Sequence, residues 1–310
     1  MKYLFGIDIG GTTVKMGFFD ENHTLLDKWE IKTDISNNGE KIFADIANSV
    51  KKHLNNKNIS IDDVLGYGIG VPAATENNFI EKCDNLGWEN IYVDKEFKKH
   101  IPTGLVQVCN DANGAALGEA FNGAAADYNS CVLITLGTGV GCGVIIDKKI
   151  VEGKNGSAGE VGHLMMEFDD PFQCNCGKKG CLETFASANG IVRLAKKHLV
   201  NNTLPTKLDL NQNFTSKDIF DLAKQNDEFA LKMVNHVCSK IALACSYIAC
   251  VIAPEIILIG GGVSKAGEFL SNKISEYYQE YTYHATRDIK IALATLGNDA
   301  GIYGAANLIK

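Results

Sequence analysis

Six side chains able to hold a metal or a polar ligand crowd one stretch of this chain: Glu160, His163, Cys174, Cys176, Cys181 and Glu183. One His and three Cys are a full tetrahedral set for zinc. Because Cys₃His leaves no open coordination position, such an ion would hold structure rather than activate water. The spacing His163-x10-Cys174-x-Cys176-x4-Cys181 lacks the paired Cys-x2-Cys knuckles of a zinc finger, and Gly177 and Gly180 supply the tight turns a compact chelating loop needs. The competing reading is three reduced cysteines and a surface His. Glu160 and Glu183 flank the ligands, would be fixed in place by the metal, and suggest that something polar binds there.

Two glycine turns add a second kind of chemistry. Asp8-Ile9-Gly10-Gly11-Thr12-Thr13-Val14-Lys15 joins two apolar, β-prone runs. Glycines let backbone N–H groups approach an anion without a Cβ in the way, the Thr hydroxyls add donors, and Lys15 adds charge. The turn is neither a Walker A loop nor a Rossmann GxGxxG. Asp8 is placed to hold Mg²⁺ through water, since Mg²⁺ keeps several waters and takes few carboxylates. An ordinary β-hairpin with Gly for its turn is the bland alternative. Gly137-Thr138-Gly139 repeats the device in the second half, and Gly261 and Gly262, after another buried run, offer a third close-approach point suited to a nucleoside. Together these three predict a nucleoside triphosphate held across a cleft.

Asn110-Asp111-Ala112-Asn113 ends a short apolar run and opens a helical pattern. An Asx N-cap explains it without any ligand. The carboxyl end of a strand in an α/β lobe is also where ligands bind, which makes Asp111 a candidate general base acting on a hydroxyl.

The elements that must position these groups follow from periodicity. Apolar runs at 3–9, 14–19 and 25–33 read as a meander of three strands, 39–54 as a helix, 64–71 and 105–109 as buried strands, and a helix begins at Asp111. The order then recurs: strands at 131–136 and 141–146, helices at 191–199 and 265–281, strands at 255–259 and 289–294, and a terminal helix at 300–308 expected to pack closely on a neighbour. Between them Val234, Val237, Ile241, Ala244, Ile248 and Val251 form an apolar helical stripe read as core. Strand and helix alternating after a meander imply an α/β fold in two similar lobes.

Composition sets the class. The 310 residues suit two lobes, and 45% hydrophobic with 22% charged residues and five Pro is globular throughout. A net charge of −7 without a basic run argues against a nucleic-acid or membrane-surface binder. No secretory signal is expected, because the first residues run straight into a strand pattern. No stretch offers some 20 uninterrupted apolar residues, 241–253 coming nearest, so a cytoplasmic chain is expected. In that compartment Cys109, Cys131, Cys142, Cys238, Cys245 and Cys250 read as small buried hydrophobes.

In this order the chain resembles the ROK family (repressors, open reading frames, kinases), and within it the bacterial glucokinases, over essentially its whole length. The residues that carry the resemblance are DIGGTTVK at 8–15, GVPA at 70–73, NLGW at 85–88, NDANGAALGE at 110–119, LGTGVGCGV at 136–144, AGEVGH at 158–163, CNCGKKGCLETFAS at 174–187 and LIGGGVS at 258–264. The family often has Gly-x-Pro-Gly where this chain has Ala73.

The resemblance implies an actin-like ATPase (ribonuclease H-like) fold: residues 1–110 as an N-terminal lobe completed by the terminal helix from about 298, and 111–297 as a C-terminal lobe carrying a zinc loop at 163–181. It implies phosphoryl transfer from Mg·ATP to a hexose hydroxyl, O6 of glucose first, with closure of the lobes around the sugar. N-acetylmannosamine, fructose and allose are the alternative substrates, and a sugar-responsive regulator is the alternative class. Asp111 would be the base, Gly70, Asn85, Asn110, Glu160, His163 and Glu183 the sugar ligands, and His163, Cys174, Cys176 and Cys181 the ligands of a structural zinc. Asp8, Gly10, Gly11, Thr12, Thr13, Lys15, Gly137, Thr138, Gly139, Gly261 and Gly262 would serve ATP. A homodimer is expected, since twofold assemblies are the commonest.

Overall fold

The computed structural model describes all of residues 1–310. β1 (Tyr3–Ile9), β2 (Thr13–Asp20) and β3 (Leu25–Lys32) form the meander; α1 (Ile42–Asn56) leads to β4 (Val64–Val71). A hairpin that the sequence reading missed follows, β5 (Phe79–Cys83) and β6 (Trp88–Tyr92), then α2 (Val93–Lys98), β7 (Leu105–Asn110) and α3 (Asp111–Asn122). The later elements are β8 (Cys131–Leu136), β9 (Val140–Ile146), β10 (Lys149–Ile150), α4 (Glu183–Ala186), α5 (Ala188–Leu199), α6 (Ser216–Lys224), α7 (Glu228–Ile252), β11 (Ile256–Gly260), α8 (Glu268–Tyr281), β12 (Lys290–Leu293) and α9 (Ala300–Ala306).

The internal repeat is visible in the sheets. One runs β3-β2-β1-β4-β7 and the other β10-β9-β8-β11-β12, so each places its own five strands in the same permutation, third, second, first, fourth, fifth. In the first, β1 pairs antiparallel with β2 and parallel with β4, and β4 pairs parallel with β7.

Two compact units result: Met1–Asn129 with Gly143–Ala158 and Asn298–Lys310, and Ser130–Cys142 with Gly159–Gly297. The boundary expected at 110/111 thus falls elsewhere, because α3 is seated on α9. A Cβ built on Gly304 would lie 1.6 Å from the Gly114 carbonyl oxygen, and one on Gly118 would lie 2.3 Å from that of Ala300. Only glycine lets the two helix backbones come this close.

Period-two alternation decides how the first sheet is covered. Phe5, Ile7 and Ile9 of β1 and Tyr67, Ile69 and Val71 of β4 join α1 (Ile42, Phe43, Ile46, Val50, Leu54) and Phe97 of α2 in the main core. The intervening Leu4 packs with Phe19 against Ile302, Ala306 and Ile309. On that same face Gly6 and Gly68 let α9 lie directly on the sheet, their built Cβ atoms falling 1.9 Å from Ile302 O and 1.7 Å from Ala305 O. The close packing expected of the terminal helix is therefore observed.

In the second unit α7 packs on α6 and α8. By length and composition it could cross a membrane, yet its Met233, Val234, Val237, Ile241, Ala244, Cys245 and Ile248 are buried. The stripe stops short of its expected end. Val251 is 85% exposed and Cys250 is exposed as well, so neither is core. Helical period identifies a face, but cover for that face ends before the last turn.

Candidate functional site

Asp8 lies at the end of β1, with Lys15 opposite it on β2 and Gly70 opposite it on β4. Its carboxylate lies against α9, where a Cβ on Gly301 would sit 2.7 Å from Asp8 Oδ2. A Cβ on Gly70 would sit 3.7 Å from Asp8 Oδ1 and 4.0 Å from the Asp111 Cα, so Gly70 lies between the Asp8 carboxylate and the start of α3. Burial raises the Asp8 pKa, and the Lys15 charge partly offsets this. The Lys15 Nζ is 4.0 Å from Asp8 Oδ2 and donates to the Asn298 carbonyl at 3.1 Å. That lysine is tethered to the start of the terminal segment as well as facing Asp8.

Asn110 is indeed the N-cap of α3: its Oδ1 accepts from Ala112 N at 2.9 Å and Asn113 N at 3.2 Å. The side-chain amide remains and donates to Ala73 O at 3.3 Å, which ties the cap to the GVPA loop. Asp111, the first residue of α3, accepts from Ala112 N at 2.8 Å through Oδ1. Its residue surface meets solvent, while protein crowds the carboxylate itself. This is a carboxylate surrounded by protein that solvent still reaches. Loss of hydration raises its pKa from 3.8 to about 6, the Ala112 N–H opposes the rise, and the Asp8 charge adds to it. Near-neutral titration suits a general base.

The first glycine turn closes by Gly10 N donating to Thr13 O at 3.0 Å, and Thr12 O accepts from Thr33 N at 3.0 Å. Asn85 is near, its carbonyl oxygen 3.7 Å from a Cβ built on Gly11. In the second unit Gly137 N donates to Gly139 O at 2.9 Å. Gly137 and Gly262 have open space where a side chain would be, whereas a Cβ on Gly261 (φ 81°) would fall 2.6 Å from the Leu136 backbone, so only glycine lets the end of β11 lie this close to that of β8. The open glycine surfaces at Gly137 and Gly262 leave room for an anion to approach the backbone.

His163, Cys174, Cys176 and Cys181 converge, their ligand atoms all within 4.8 Å of one another. His163 Nδ1 is 3.7 Å from Cys174 Sγ, and Cys176 Sγ is 3.6 Å from Cys181 Sγ. A tetrahedral zinc with its usual bond lengths requires edges of about 3.6 Å for S···N and about 3.8 Å for S···S, whereas a disulfide would need about 2.0 Å. The donor set fits zinc. The imidazole's other nitrogen, Nε2, is 3.9 Å from Glu160 Oε2. Glu160 is exposed and reaches that nitrogen from outside the loop.

Glu183 does more than its spacing suggested, since Oε2 accepts from Val140 N at 3.0 Å. A cavity of about 240 Å³ is lined by Thr138, Cys174, Glu183, Ser187 and Arg193 among others. The candidates therefore gather in groups: Asp8, Gly70, Asn110 and Asp111, with Asn85 by the first turn, in one unit; the Gly137–Gly139 turn with Glu183, and Glu160 with the His/Cys cluster, in the other. Gly301 under Asp8 and Arg193 in the cavity went unread, for nothing local marks either.

The family model for the ROK family matches residues 4–310. Among curated proteins, the glucokinase of Halalkalibacterium halodurans is 39% identical over 315 residues, covering 100% of this chain and 95% of its own. That of Thermotoga maritima is 34% identical over 316 residues, covering 99% and 97%. Among solved structures, a ROK family glucokinase from Streptomyces griseus in complex with glucose and AMPPNP superposes with a TM-score of 0.75 at 28% identity and 99% coverage of both chains.

Proposed function

The chain belongs to the ROK family, has that family's actin-like ATPase fold and is an ATP-dependent sugar kinase; from this premise we propose that it is a glucokinase, phosphorylating the 6-hydroxyl of glucose. Support for glucose comes from relatives named for it at 39% and 34% identity. The observation that carries the mechanism is Asp111, a carboxylate at the start of α3 with its pKa lifted to about 6. It accepts the proton of the attacking hydroxyl as the γ-phosphoryl group moves, while Asn110 orients the sugar beside it. Gly70 leaves room for the substrate between Asp111 and Asp8.

Asp8 would hold Mg²⁺ of the nucleotide through water; the ion's part is to neutralise charge on the phosphates. Gly10, Gly11, Thr12, Thr13 and, with its charge, Lys15 serve the phosphates from the first unit, and Gly137, Thr138, Gly139, Gly261 and Gly262 receive the nucleotide from the second. Glu160, His163 and Glu183 bind sugar hydroxyls. With Nδ1 turned to the cysteines, a zinc there leaves Nε2 protonated, so His163 becomes an obligatory donor to a sugar oxygen. A zinc held by this closed set of four donors would be structural.

A coupled ADP-release assay over glucose, N-acetylmannosamine, fructose and allose tests this, with polyphosphate as a second donor. Glucose should give the highest kcat/KM with ATP. Preference for another hexose would move the substrate assignment, and no turnover with any hexose, alongside operator binding in a gel shift, would favour a regulator. We further propose a cytoplasmic homodimer, checked by light scattering on the purified chain.

A further inference from the structure

We propose that Glu183 is a positioning residue for the nucleotide turn as well as a sugar ligand, so that one carboxylate joins the zinc loop and the two substrate subsites. This rests on the kinase reading above. The turn Gly137–Gly139 has little stiffness of its own, yet it is held at each end. Val140 N donates to Glu183 Oε2 at 3.0 Å, and Ala188 N donates to Gly137 O at 2.8 Å. Both partners lie in the short segment that opens α4 and α5. From the other side the backbone of Gly162, beside His163, closes on the same turn: a Cβ there would be 2.3 Å from Val140 O.

The backbone on either side of Glu183 is itself anchored. Thr184 N and Thr184 Oγ1 both donate to Cys181 O, at 2.9 and 2.7 Å, and Leu182 N donates to Leu164 O at 2.9 Å. The chain between the last cysteine of the cluster and Glu183 thus has no slack. Oε2 being committed to Val140, Oε1 is left for a sugar hydroxyl. Glu183 and Thr138 line the same cavity of about 240 Å³. Gly139 is required by this arrangement, since a Cβ at that position would fall 2.5 Å from Glu183 Oε2. A hydrogen bond to an ionised acceptor is among the stronger ones in proteins, enough to select one conformation of a glycine turn.

The test reads nucleotide binding apart from turnover: calorimetric titration of AMPPNP into the purified, zinc-loaded chain, with zinc content and Tm measured for each variant. Glu183→Ala should weaken AMPPNP about tenfold, the lower end of what one charge-assisted hydrogen bond is worth. Glu183→Gln keeps a carbonyl oxygen for the Val140 N–H and should recover most of that loss, while KM for the hexose stays raised. Gly139→Ala should weaken AMPPNP in the unmutated background and add little to Glu183→Ala. AMPPNP affinity unchanged in a folded, zinc-replete Glu183→Ala would overturn the inference, as would strictly additive losses in the double variant. If Glu183→Ala fails to fold, Glu183→Gln and Gly139→Ala decide: full affinity in Gly139→Ala overturns the clamp. Absence of AMPPNP binding by the unmutated chain overturns the kinase reading itself, and is distinguished by that control.

Discussion

Replacing Asp111 by Asn should destroy turnover and yet make the protein more stable near neutral pH. The carboxylate titrates at about 6 instead of 3.8 because protein displaces its water and the Asp8 charge is close. For an acid whose folded pKa is raised, the native state holds its proton over the window from 3.8 to about 6 where the unfolded chain has lost it. Stability contributed by the protonated form is therefore given up as pH rises through that window, and the cost is complete above about 6. The full rise would correspond to about 3 kcal/mol. Since solvent still reaches this residue, screening reduces it, and about 1 kcal/mol is the reasonable expectation. Asn keeps an oxygen to accept from Ala112 N, so the helix start survives. Paired urea denaturations at pH 7.5 and pH 4 measure the difference, which should be near 1 kcal/mol in favour of Asp111→Asn at the higher pH and near zero at the lower. In the unmutated enzyme kcat/KM should fall tenfold per pH step below about 6, as the base becomes protonated. An acid limb centred near 4, or an Asn variant no more stable at pH 7.5, would refute the reasoning that links crowding of this carboxylate to its role.

Three further expectations rest on other parts of the fold. Gly304→Ala would gain about 1 kcal/mol in helix propensity but place a Cβ 1.6 Å from Gly114 O; overpacking costs of about 1–3 kcal/mol or more should dominate, and a Tm that holds or rises argues against the α3–α9 seam. Zinc removal by a chelator should raise KM for the hexose and speed proteolysis within residues 163–181 together; unchanged kinetics in verified zinc-free protein would break that coupling. His53 is stacked on Trp29 at 4.2 Å between ring centroids, and burial together with Lys57 lowers its pKa despite Asp27. Its contribution is fully present above its unfolded pKa of about 6.5 and lost as pH falls through the lower folded value, so a thermal-melt series from pH 7 to 5 should flatten in His53→Leu.

Much of this was legible because it is local. The His/Cys spacing announced that four donor atoms converge, the glycine turns announced close approach, and Asn110 read correctly as the cap of α3. What sequence reading could not reach was written in tertiary contacts. The bond from Val140 to Glu183 spans 43 residues and the one from Lys15 to Asn298 spans 283, so neither leaves a periodic trace. The β5–β6 hairpin was missed because its register, Phe79 to Tyr92 and Cys83 to Trp88, interleaves charged and apolar residues without a two-residue glycine turn. Val251 was assigned to the core because helical spacing cannot say where the covering elements end.

The seam of small residues around α9 has a bearing on how the chain is made. Leu4 and Phe19, near one end, find their cover in Ile302, Ala306 and Ile309 at the other. During translation the opening sheet must therefore wait with one side bare until residues 302–309 have been made, exposed to chaperones and to pairing with other nascent copies. Only the making of α9 completes it, and loss of Ile302, Ala306 and Ile309 would uncover Leu4 and Phe19.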